Sequence, residues 1–264
     1  MLYVYAVVPG DAIPSTTPPP GLDDASVRII RAGNVAALVS TLDRATYSNE
    51  RLELLTSDVN ELGPRAAAHD RVVTWASDQV AAVPLPLFSL FNDDQRVVEM
   101  LDTRALELGE ALRRVGQGRE YSLRVYRLDD ALEASLTQLS PDIAAKTEAL
   151  ESASPGQRYL LERKLDKEKQ SAVRQVGRDV ATEIWNALKA KAVDSVSEPA
   201  PRGASGEIPL VLNASFLVAH DGYDDFRTTL SHLIERYGSH GFRFDFTGPW
   251  PAYHFVGQSP DRVS

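Results

Sequence analysis

Gly241-Phe242-Arg243-Phe244-Asp245-Phe246-Thr247-Gly248 carries a phenylalanine at every second position and a polar residue between each pair. A period of two places the phenylalanines on one face of a strand and Arg243, Asp245 and Thr247 on the other. Upstream, Tyr223, Phe226, Leu230, Leu233, Ile234 and Tyr237 recur at helical spacing. Asp221 reads as the cap of that helix and Gly238 as its stop. Residues 208–219 form a long apolar run before it, the mark of a central strand. The end of the chain therefore reads β-α-β.

The reading extends outward. Tyr121, Leu123 and Val125 alternate with Ser122, Arg124 and Tyr126, predicting a half-buried strand over 119–127. Short helices are predicted near 129–138 and 141–152. Ser154-Pro155 opens a long helix over 155–198, with Leu161, Leu165, Val173, Val176, Val180, Ile184 and Leu188 as its stripe. Residues 199–206 read as a loop. The added strand and helix make the whole segment ferredoxin-like.

The first half holds its own elements. Residues 2–8 predict a strand, and Pro14, Pro18, Pro19 and Pro20 an exposed excursion. Residues 26–31 and 34–40 predict a hairpin around Gly33-Asn34. Pro64 suits the first turn of a helix carrying Ala68, Val72 and Trp75. Residues 83–91 hold two prolines and read as an irregular or edge strand. Asn92 or Asp93 can cap one helix bearing Val97, Leu101, Ala105, Leu108 and Leu112, which Gly116 and Gly118 stop. The fold class is α+β in two domains, 1–118 and 119–264, with ferredoxin-like β-α-β units, antiparallel sheets and a long helical segment.

Composition narrows the function. The chain has 264 residues, 43% hydrophobic, with a net charge of −9. An acidic balance argues against binding nucleic acid or anionic lipid. There is no cysteine, which removes disulfides, thiolate nucleophiles and Cys-ligated metals. No run approaches the ~18 apolar residues that span a bilayer. The N-terminal apolar run is too short for a signal peptide, so the expected place is the cytoplasm.

Candidate chemistry is sparse. None of His69, His220, His232, His240 and His254 pairs at the spacing of a helical zinc site. His220, His232, Asp221, Asp224 and Asp225 give a metal-assisted hydrolase as one hypothesis. The three aspartates read better as first-turn acids favoured by the helix dipole. Gly203-Ala204-Ser205-Gly206 has the wrong spacing for a nucleophile turn. No catalytic residue, metal ligand or cofactor is assigned.

The segment that stands out is Phe246-Thr247-Gly248-Pro249-Trp250-Pro251-Ala252-Tyr253-His254-Phe255-Val256. A tryptophan between prolines is stiff and large, and aromatics follow on alternate positions. Such a segment either folds back to close its own core or presents a low-entropy anchor to another protein. Pro249, Trp250, Pro251, Tyr253 and Phe255 are the candidate protein-binding residues.

This ending closely resembles that of the gas vesicle GvpL/GvpF family. Leu2-Tyr3-Val4-Tyr5-Ala6-Val7-Val8, the stretch from Arg65 to Phe91 with Ala68-His69, Arg158-Tyr159-Leu160-Leu161-Glu162-Arg163-Lys164-Leu165 and Leu212-Asn213-Ala214-Ser215-Phe216-Leu217-Val218 resemble further family blocks in the same order. Leu87-Phe88-Ser89 departs from the family's basic-Phe-Gly, and Ala252 stands where it has a proline. The resemblance implies a non-enzymatic accessory or minor structural protein of the gas vesicle. It implies binding to the hydrophobic shell subunit and to other accessory proteins during assembly. A ferredoxin-like ligand-sensing regulatory module is the alternative.

Overall fold

The computed structural model describes residues 1–116, 118–199 and 208–256. The chain divides into two compact units. Met1–Glu120 and residues 249–256 form the first, and Tyr121–Gly248 the second. The sequence reading drew the line at 118/119 and kept the C-terminal segment with the second half. The structure instead places residues 249–256 in the first unit, because Ala252 and Phe255 are buried there.

The first unit opens with β1 (Leu2–Pro9), followed by the hairpin β2 (Val27–Ala32) and β3 (Val35–Thr41). Gly33 turns the hairpin at a φ of 53°, where a side chain would be strained. Helix α1 (Asn49–Ser57) precedes α2 (Val59–Ser77). The Asp58 carboxylate accepts from the Asn60 N–H at 2.9 Å and caps α2. Pro64 therefore lies inside α2, not in its first turn as the sequence suggested. Residues 83–91 yield two short edge pieces on β1, β4 (Val83–Pro84) and β5 (Leu90–Phe91), as two prolines require. The sheet order is β2-β3-β1-β4. Asp93 caps α3 (Asp94–Thr103), accepting from the Arg96 N–H at 2.9 Å. The single helix expected here breaks at Arg104, whose ψ of 14° is not helical, and α4 (Ala105–Val115) follows.

The second unit is β6 (Arg119–Arg127), α5 (Asp129–Leu139), α6 (Pro141–Glu151), α7 (Pro155–Lys189), β7 (Asp194–Ser197), β8 (Leu210–Val218), α8 (Tyr223–Tyr237) and β9 (Phe242–Trp250). The first two residues of β6 and the last two of β9 belong to the first unit. The strand order β7-β8-β6-β9, with helices after β6 and β8, is ferredoxin-like, and the 208–219 run is central as read. The long helix ends at Lys189, not 198, and residues 194–197 pair antiparallel with β8. Leu165, Val173, Val176, Val180, Ile184 and Leu188 are buried on its stripe, but Leu161 is exposed. Asp221 lies in a short 3-10 turn before α8, whose N-cap is Gly222. Of the loop read at 199–206, all but residue 199 lies outside the described residues, as do Gly203 to Gly206.

The core of this unit is aromatic where α8 meets the sheet. Phe226 lies 5.3 Å from Phe216, and Phe246 stacks on Tyr121 at 5.5 Å, centroid to centroid. Tight packing also fixes the entry to β9. Gly241 has a φ of 92°, and a Cβ there would stand 2.5 Å from the Leu132 amide nitrogen. Strain and overlap add at this site. Gly241→Ala should therefore cost at least ~2 kcal/mol of unfolding free energy in denaturant titration. The same change at Gly63, where a Cβ meets nothing, should cost nothing.

Candidate functional site

Strand β1 is buried along nearly its whole length, so its two tyrosine hydroxyls must find partners inside the protein. Tyr5 sits where the β1–β3 register shifts. Its hydroxyl donates to Ser40 Oγ at 3.0 Å and accepts from the Leu22 N–H at 2.9 Å. The Ser40 hydroxyl donates in turn to the Ser26 carbonyl at 3.0 Å. The Tyr3 hydroxyl lies 2.6 Å from His69 Nδ1, and His69 stacks on the Tyr5 ring at 5.9 Å. His69 is 3% exposed on α2. Burial pushes its pKa down to about 4, so the ring is neutral at neutral pH. Burial pushes the Tyr3 hydroxyl up. His69 Nε2 has no hydrogen-bond partner among the described residues.

The C-terminal segment closes over this network. Ala252 and Phe255 are buried, Phe255 to 1% exposure, in and beside a single 3-10 turn, Tyr253–Phe255. The turn packs against α4. The Tyr253 ring lies 6.3 Å from the His69 ring, and its hydroxyl donates to Asp70 Oδ1 at 3.3 Å. A second tether is Glu120, a carboxylate only 2% exposed. It accepts from the His254 backbone N–H at 3.0 Å and lies 2.6 Å from His254 Nδ1. A buried carboxylate is costly without such partners.

The five candidate binding residues are thus divided. Pro251 and Phe255 are buried and belong to the core. Pro249 is exposed, as are Trp250 at 42% and Tyr253 at 37%. Trp250 stands between prolines of fixed φ, on a backbone pinned from below. The aspartates and histidines weighed for a metal do not gather. Among the described residues, no three His, Asp or Glu side chains could hold an ion together. Asp224 and Asp225 occupy the first turn of α8, and Asp225 meets Lys191 at 3.3 Å. Among the described residues, no helix is long and apolar enough to cross a membrane.

The family model for gas vesicle synthesis protein GvpL/GvpF matches residues 1–257. The chain belongs to the GvpL/GvpF family. Gas vesicle protein L of a Streptomyces species is 26% identical over 263 residues, which cover 99% of this chain and 94% of the relative. Gas vesicle protein L1 of Halobacterium salinarum is 23% identical over 96% of this chain and 89% of its own. The crystal structure of gas vesicle protein GvpF from Anabaena superposes with a TM-score of 0.66, covering 98% of this chain and 96% of that one at 18% identity. That likeness shows that the α+β fold is shared. The protein is thus a GvpL/GvpF gas vesicle protein, a family not known for enzymes.

The sequence did not reveal the Tyr3–His69 and Glu120–His254 contacts. Two tyrosines in an apolar strand were the available sign, since each hydroxyl needs a partner once buried.

The low His69 pKa links stability to pH. The unfolded ring binds a proton at about 6.5 and the folded ring only near 4. The neutral ring's contribution is complete above pH 6.5 and is lost as pH falls from 6.5 toward 4. The loss amounts to roughly 3 kcal/mol. His69→Asn, which keeps a polar atom near Tyr3, should remove that slope. Denaturant titrations of both proteins across pH 4–7 should show the difference.

Proposed function

We propose that this GvpL/GvpF protein acts by binding other protein chains during gas vesicle assembly. Its partners are the hydrophobic shell subunit and other accessory proteins, and its place is the cytoplasm and the gas vesicle. It carries out no covalent step of its own. The observation that supports this is the exposure of Pro249, Trp250 and Tyr253 on a segment whose backbone is held by Glu120 and Phe255. A large aromatic that is already fixed loses little entropy on docking, which is what binding hot spots exploit. A shell subunit with an apolar face would self-associate before assembly, and a stiff aromatic anchor on an acidic carrier suits it.

The test is capture of co-expressed shell subunit by this protein. The native chain should retain it. Trp250→Ala should fold normally and lose at least tenfold in affinity, a hot-spot loss of about 1.4 kcal/mol or more. Phe255→Ala should instead lower stability by ~3–5 kcal/mol through the cavity it leaves. Undiminished capture by folded Trp250→Ala would remove the C-terminal turn from the contact.

A further inference from the structure

Strand β9 is the last strand of the second unit's sheet, and among the described residues no strand lies beyond it. It is nine residues long, against four for β7 at the opposite edge. Long edge strands offer a ready template for another strand. Gly248, with a φ of 125°, and Pro249 interrupt it, so residues 242–247 form the regular part. On its outer face Arg243 and Asp245 are exposed. The Arg243 guanidinium lies 4.2 Å from the Tyr126 ring centroid and its Nε is 3.4 Å from Asp245 Oδ1. On the inner face Phe242 is buried, while Phe244 and Phe246 are only half buried.

The order Phe-Arg-Phe-Asp-Phe is self-complementary when reversed. An antiparallel pairing of two such strands about a two-fold axis through Phe244 sets Arg243 opposite Asp245 of the second copy, twice. It also sets Phe242 opposite Phe246 and Phe244 opposite itself. Both pairings keep each residue on its own face, which a two-fold perpendicular to the sheet requires. Moving the axis one residue either way places Asp245 opposite Asp245 or Arg243 opposite Arg243. Like charges directly opposite are unfavourable, so one register is selected. We propose that β9 is an interaction surface for a second copy of this chain, joined edge to edge through residues 242–246 in the register that pairs Arg243 with Asp245.

The chain has no cysteine, so cross-linking reports the register cleanly. Residues directly opposite across strands bring their Cβ atoms to ~4.5–5.5 Å, close enough for a disulfide after small adjustment. A mixture of Arg243→Cys and Asp245→Cys proteins should oxidise to a covalent dimer that neither variant forms alone to the same extent. Sedimentation should show a concentration-dependent dimer of the native chain. Arg243→Asp or Asp245→Arg alone should weaken it about tenfold or more, and the double exchange should restore it. A native chain that stays monomeric at ~100 µM overturns the proposal, that concentration corresponding to a very weak contact. Cross-linking no better in the mixture than in the single variants also overturns it, as does dimerisation that ignores both charge reversals.

Discussion

A carboxylate at 2% exposure must be given partners or it destabilises the protein, and Glu120 meets the backbone N–H and the imidazole of His254. The two residues are 134 positions apart. Meeting the hydrogen-bond needs of this one buried side chain therefore ties residue 254 to the start of β6. The aromatic segment follows as a consequence. Phe255 and Ala252 fill the core below, and Tyr253 reaches Asp70. What remains outward is Pro249, Trp250 and the rest of the Tyr253 ring. The same residues that close the core also hold the backbone beneath Trp250, so core closure and the proposed docking are compatible.

The tyrosine network of β1 follows the same logic with neutral groups. Each hydroxyl buried in that strand has a partner drawn from another element: Ser40 on β3 for Tyr5, and His69 on α2 for Tyr3. His69 is held neutral by burial, which makes the network indifferent to pH near neutrality and vulnerable to acid. The Tyr253 ring lies beside His69, so the network and the C-terminal turn share one neighbourhood.

Much of the fold was legible. Period-two alternation marked β6 and β9, and the 3.6-residue stripe marked α7 and α8, because each buries one face only. Boundaries were harder. The stripe of α7 does not announce its end at Lys189, since Asp194–Ser197 is a short polar strand whose place comes from pairing with β8. Arg104 carries no breaker signal, yet α3 and α4 part there. The site was half legible. The Trp-between-prolines ending marked the segment whose Ala252 and Phe255 enter the first unit's core, but the pairing of Glu120 with His254 is a long-range fact with no local mark. Without it, residues 249–256 were grouped with the strand they follow, not with the core they enter.

The proposed contact runs between the pinned C-terminal turn and the shell subunit. Photo-cross-linking from a reactive amino acid placed at position 250 tests it most directly, with position 163 on α7 as an exposed control. The account predicts an adduct between position 250 and the shell subunit in co-expressing cells, with far less from position 163. Adducts from position 163 alone, or from neither position in folded protein that co-purifies with the subunit, would contradict it.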